Sequence, residues 1–251
     1  MRRLALGALF PVALVVLWEA LGRAGVLSED GFSRPSLIAR AFARALGDGT
    51  LLLQTGQTFS AALAGLAVAA LAGVAAGALL GLSRSLERTA ALTVEALRPI
   101  PSVALIPLSL LVFGFSLQMS AAVAAFACFW PILIVTIAAV RGIDPRLLEV
   151  ARMMRFGLAA RVLKFALPAA APAIMVGIRV AAGIAIVVTV TTEIVTNPRG
   201  LGYGMIIAQQ SLQADLMWAT LAWLGLAGWA ANWGLATLER RWLAWFWVAR
   251  A

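Results

Sequence analysis

Apolar residues fill six long blocks of this chain, at positions 4–21, 58–82, 89–113, 119–140, 169–192 and 216–238, and the stretches between the blocks hold most of the charges. A helix needs about 20 such residues to cross about 30 Å of hydrocarbon at about 1.5 Å per residue, and every block approaches or exceeds that length. The pattern predicts an all-α integral membrane protein of six transmembrane helices in one domain, residues 1–251. Roughly ten-residue segments of alternating polarity, the mark of a membrane β-barrel, do not occur. The first block follows two arginines as in a signal peptide, but no convincing small-x-small cleavage site comes after it, so it is expected to be a retained helix.

Charge then sets an orientation. With the N-terminus inside, Arg2, Arg3, Arg84, Arg88, six basic residues between 141 and 164, and Arg240, Arg241 and Arg250 share one side, thirteen in all. Arg23, Arg34, Arg40, Arg44 and Arg199 fall on the other. Basic residues collect on the cytoplasmic face, so both termini are expected in the cytoplasm of a bacterial inner membrane. The composition agrees: 63% hydrophobic, 12% charged, mean hydropathy +0.96. A net charge of +9 spread among apolar blocks leaves no soluble basic domain for nucleic acid. The single cysteine, Cys128, lies within a block and reads as a small core residue.

Local patterns refine the blocks. In the outer connection Ser36 is placed as the cap of a short helix with Leu37, Ile38, Ala41, Phe42 and Ala45 at helical spacing, lying along the membrane interface. Gly65, Ala69, Gly73, Gly77 and Gly81 recur every fourth residue, a smooth stripe for close approach of another helix. Trp242, Trp245 and Trp247 follow the last block as headgroup anchors.

Residues 149–168, EVARMMRFGLAARVLKFALP, differ from their surroundings in being basic and amphipathic. Asp144 and Pro145 supply a cap and first turn for a helix weakened at Gly157; a second short helix then meets Leu167-Pro168, where the missing N–H is expected to break it. Two short helices at a glycine bend form a knob, with Met153, Met154 and Phe156 available to a partner's groove. An amphipathic helix resting on anionic headgroups is the alternative.

This segment resembles the cytoplasmic loop of the membrane subunits of type I binding-protein-dependent ABC importers. That loop has Glu-Ala-Ala, a nearby Gly and a closing Leu-Pro, which Glu149, Ala151, Leu167 and Pro168 match. Val150 replaces the middle Ala, and Arg155 stands in the usual Gly seat, with Gly157 two residues later. Residues 97–114, 141–152, 167–183 and 193–204 are most similar to permeases for aliphatic sulfonates, taurine and nitrate, and the resemblance covers about residues 51–239, with 141–168 as the coupling segment. It implies the type I importer permease fold, a homodimer, two ATPase subunits and a periplasmic or lipid-anchored solute-binding protein. It further implies that Asp144, Glu149, Ala151, Met153, Met154, Arg155, Phe156, Gly157, Leu167 and Pro168 meet the ATPase. No GxxxxGK[ST] loop occurs, so ATP and Mg belong to the partner; no catalytic or metal-binding residue and no cofactor is assigned to this chain.

Charges inside spans are costly and mark candidate path residues. Glu95 and Arg98 lie one turn apart and can pair. Arg98 and Arg179 are candidates to line a path for an anion; structural pairing of Glu95 with Arg98 and snorkelling of Arg179 are the alternative. Glu193 lies near the outer end of its span, with Thr189 as a further candidate for solute contact or back-bonding to its own helix. Pro99, Pro101, Pro107 and Pro131 free backbone carbonyls, as static kinks or along a route. Gly200, Gly202 and Gly204 around Tyr203 are expected to form an outer loop, either a gate or a plain connection. The function expected is that of the membrane subunit of an ATP-driven importer for a small anion. The same machinery serving a pyrimidine or riboflavin precursor or an aromatic acid is the alternative. A stand-alone secondary transporter or an intramembrane enzyme fits less well, because the chain has no histidine and its spans have no aspartate.

Overall fold

The computed structural model describes residues 2–26 and 31–242. Every regular element among them is helical. Three helices form the centre: α3 (Thr50–Leu82), α6 (Leu117–Arg141) and α9 (Leu167–Val195), each packed on the other two. Around them lie α1 (Arg2–Arg23), α2 (Pro35–Gly47), α4 (Arg84–Leu97), α5 (Ile106–Phe113), α7 (Pro145–Met153), α8 (Leu158–Arg161), α10 (Gly200–Gln210) and α11 (Ala214–Trp242). Three continuous helices are long and apolar enough to cross a membrane, Thr50–Leu82, Leu117–Arg141 and Ala159–Val195. A bent pair, Arg84–Leu97 with Ser102–Phe113, makes a possible fourth crossing.

The centre is held by close backbone contact. In lipid no hydrophobic force drives helices together, so small residues that allow dense packing take over. The glycine stripe of α3 lies directly on α6: a Cβ on Gly65 would stand 2.6 Å from the Ala121 carbonyl oxygen, and one on Gly77 2.6 Å from Thr136 Cβ. Gly73 and Gly81 meet Ile132 and Val140 in the same way, and Gly177 of α9 meets Val135. The stripe is thus the packing surface its spacing predicts. Cys128 is buried between these helices, its thiol donating to the Ala181 carbonyl at 3.2 Å.

The expected third block, 89–113, is not one straight helix. Pro99 and Pro101 interrupt it, and the chain turns by 82° between α4 and the segment formed by a 3-10 turn at Ser102–Leu105 and α5. The missing proline donors leave the helix no ladder to continue. Pro131, in contrast, sits inside α6 without ending it.

Two local expectations are corrected. Ser36 does not cap α2; Pro35 opens that helix after Arg34. Instead the Ser36 N–H and hydroxyl donate to Glu19 of α1 at 3.0 and 2.9 Å, so a carboxylate from another helix serves the N-terminal donors. Nor does Pro168 break the chain. Residues 162–166 form a π turn in which the Leu167 N–H reaches the Val162 carbonyl, and α8, this turn and α9 run as one helix. The wider turn shifts the hydrogen-bond ladder by one residue, which relieves the clash a proline ring makes with the carbonyl four residues back. Trp242 ends α11, while Trp245 and Trp247 lie outside the described residues.

Candidate functional site: an exposed knob and a basic groove

The knob begins where Asp144 caps α7, its carboxylate accepting from Arg146 N–H at 2.9 Å. Ala151 is fully buried, whereas Met153 and Met154 are 83% and 62% exposed at the tip. The helix then stops, but not at Gly157. Arg155 has φ +59°, and the Phe156 N–H bonds back to the Ala151 carbonyl at 3.1 Å. That six-to-one closure around a left-handed residue is a Schellman ending, which ordinarily favours glycine. The bend therefore keeps the position of the importer loop's Gly although arginine occupies it, and the expectation of a bend displaced to Gly157 is corrected.

Beyond the bend, Phe156 packs on Phe165 with ring centroids 5.3 Å apart, and the Lys164 ammonium lies 5.7 Å above the Phe156 ring. Glu149 is exposed, and Leu167 and Pro168 lie at the π turn. Ile143 and Ala166 join Ala78 and Val140 in a buried cluster that roots the knob on α3 and α6. The same cluster includes Ala170 and Ile174 of α9, which continues from α8 without a break.

A second feature runs beside α4, a helix with no buried residue. A chamber of about 340 Å³ at its far end is lined by Arg98, Ser102, Phe126, Trp130, Pro131 and Val188, among others. A cleft of about 420 Å³ shares Arg98 and Ile134 with it and includes Glu95. A third hollow, about 720 Å³, shares Glu87 and Arg141 with the cleft and adds Arg84 and Arg88. Glu95 and Arg98 do not pair; among the described residues neither forms an ion pair, and Glu87 of α4 pairs instead with Arg141 of α6. Ser102, Trp130, Glu87 and Arg141 were not among the candidate path residues. Glu87 and Arg141 are 54 residues apart, a separation no local spacing rule connects.

The remaining candidates lie elsewhere. Arg179 is not alone: it pairs with Glu239 of α11 at 3.2 Å. Thr191 and Thr192 bond back to their own helix, whereas the buried Thr189 hydroxyl has no partner among the described residues. Glu193 is 3% exposed, accepting from the Thr58 hydroxyl and the Gly202 N–H, both at 2.9 Å. The expected outer loop at Gly200, Gly202, Tyr203 and Gly204 is in fact the first turn of α10. Its first three donors are met by Gln57, Thr58 and Glu193 in turn. The close approach foreseen for these glycines is present, since a Cβ on Gly202 would stand 2.4 Å from the Val190 carbonyl oxygen. The glycines serve packing of a helix against α9 and α3, and the chain enters that helix through φ +89° at Gly200.

Residues 69–243, which contain the last part of α3, all of α6 and α9, the groove and the knob, match the family described as the inner membrane component of binding-protein-dependent transport systems. The chain belongs to this family. An Escherichia coli (strain K12) protein named for aliphatic sulfonates transport, the permease SsuC, is 35% identical over 235 residues, covering 94% of this chain and 89% of its own. The Chloroflexus aurantiacus riboflavin transport system permease RibX is 37% identical over 213 residues, 85% of this chain and 80% of its own. A chain of the MetNI methionine ABC transporter, in an inward-facing conformation, shares the fold with TM-score 0.68 and 20% identity, over 76% of this chain and 95% of that one. The permease is thus a membrane-spanning, non-catalytic subunit of an ATP-driven importer. A stand-alone transporter and an intramembrane enzyme are set aside.

Proposed function

We propose that this permease forms the route for a small anion of the sulfonate, taurine or nitrate type. It works as a homodimer with two ATPase subunits, which hold ATP and Mg, and receives solute from a periplasmic or lipid-anchored binding protein. Its six spans are α1, α3, the bent pair α4–α5, α6, the helix through α9, and α11, with both termini and the knob in the cytoplasm. The knob carries this reading. Two exposed methionines stand on a bend continuous with a 37-residue helix, Ala159–Val195, so a groove that grips the tip moves the span. Closure of the ATPase pair then tilts the permease between two states, each favoured by different partner contacts.

Purification from native membranes tests the reading. The wild-type permease is expected to retain an ATPase subunit, and a Met153→Glu/Met154→Glu variant to lose it while remaining in the membrane. Retention by the variant, or capture of no ATPase by the wild type, overturns the proposal. Calorimetry on the co-purifying binding protein identifies the solute; tight binding of riboflavin instead of a sulfonate would move this chain to the vitamin branch of its relatives.

A further inference from the structure

We propose that the groove between α4 and α6 is the inner part of the solute route, with an anion chamber at Arg98 and Ser102 and a latch formed by the Glu87–Arg141 ion pair. This rests on the importer reading above and specifies where that importer holds and releases its solute.

The geometry points to a single channel. The chamber and the cleft share Arg98 and Ile134; the cleft and the outer hollow share Glu87 and Arg141. From Phe126 to Arg141 along α6 the three span about 22 Å of helix rise, most of a bilayer's hydrocarbon thickness. The ion pair lines both hollows at their junction, so it divides the groove where it stands.

The chamber is chemically suited to an anion. Arg98 faces it without forming an ion pair among the described residues, Ser102 adds a hydroxyl, and Trp130 contributes to its wall. An oxyanion can accept bonds from both donor types, and guanidinium matches sulfonate oxygens in a fork. The apolar remainder, Phe126, Ile134 and Val188, suits a short alkyl chain.

The latch is placed to respond. α4 buries none of its residues and hangs between an extended Ser83 and the break at Pro99 and Pro101, so the Glu87–Arg141 pair is its tie to α6. An anion leaving Arg98 next meets Arg141, about 10 Å farther along α6 from Ile134. There it competes with Glu87 for the guanidinium and loosens the tie it has to pass.

Cysteine reporters test this without knowing the solute. Ser102→Cys and, separately, Ile134→Cys are placed in the full-length permease in membrane vesicles of both orientations; native Cys128 is buried and leaves a low background. Each is labelled with a sulfonate-bearing and a trimethylammonium-bearing methanethiosulfonate. The anionic reagent is expected to react about tenfold faster, and Arg98→Gln to abolish that preference. Labelling of Ser102→Cys from the Arg84 and Arg88 side is expected to rise about tenfold in Glu87→Gln or Arg141→Gln. It should return to the slow rate when Glu87→Arg and Arg141→Glu are combined. Equal rates for both reagents, two unreactive reporters, no response to either opening variant, or no restoration by the swap overturns the proposal. Failure to capture an ATPase with these labelling results intact would count against the importer assembly and not against the groove.

Discussion

Arg155 holds a left-handed backbone conformation at φ +59° that costs an L-residue roughly 1–2 kcal/mol. The ending of α7 imposes it, because only that conformation returns the Phe156 N–H to Ala151. Arg155→Gly is therefore expected to raise the thermal stability of the purified permease by about 1 kcal/mol. Gly157→Ala should change it little, since a Cβ there meets nothing within 4 Å and no positive φ is required. A stability loss in Arg155→Gly would show that the guanidinium contributes more than the backbone costs. Glu193 presents the opposite case, a residue whose surroundings depend on it. Glu193→Ala leaves the Thr58 hydroxyl and the Gly202 N–H without an acceptor, and Thr58→Val removes the acceptor of the Leu201 N–H as well as the donor to Glu193. Each is expected to cost about 2 kcal/mol and to expose the α10 N-terminus to hydrogen exchange, with the double variant less than additive.

Among the elements, α3 shows how a helix is chosen by what it lacks. A Val at position 77 would push its Cβ against Thr136 Cβ at 2.6 Å and the Leu133 carbonyl oxygen at 2.9 Å, and the latter is backbone and cannot yield. Gly77→Val is expected to lose at least about 2 kcal/mol, read as a lower melting temperature in detergent by size-exclusion recovery. Gly183→Ala, with nothing within 4 Å of its Cβ, should be neutral or slightly stabilising. The stripe was legible in the sequence because small residues repeated every fourth position on one face. The turn at residues 162–166 was not. Proline chemistry correctly marks 168 as a place where the α ladder fails, but whether the ladder ends or widens is decided by packing of Ala166 and Ala170 against α3 and α6. Similarly, three alternate glycines signalled close backbone approach at 200–204, yet they open a helix because Gln57, Thr58 and Glu193, distant in sequence, satisfy its first donors.

At the scale of the molecule, charges take partners from distant segments. Arg179 pairs with Glu239, 60 residues away, so it serves to join α9 to α11. Arg179→Gln is expected to leave solute preference unchanged and to cost no more than about 1 kcal/mol, as a half-exposed pair should, whereas Arg98→Gln should weaken uptake of the anion. Uptake by reconstituted vesicles with sulfonate and nitrate in competition separates the two; a changed preference in Arg179→Gln would restore that residue to the path. The aromatic contacts Trp18 with Trp218 and Phe42 with Trp223 tie α1 and α2 to α11.

By itself the sequence determined the membrane class, the spacing of the central helices' contact face, the capped knob and its kinship with importer permeases. All of these follow from periodicity, charge side and local motifs, which act over a few residues at a time. Only the tertiary structure decided that α4 swings away from α5, that Arg155 carries the bend, that Glu193 clasps α10, and that Glu87 meets Arg141. The last two depend on groups brought together from separate helices, which no pattern acting over a few residues can pair.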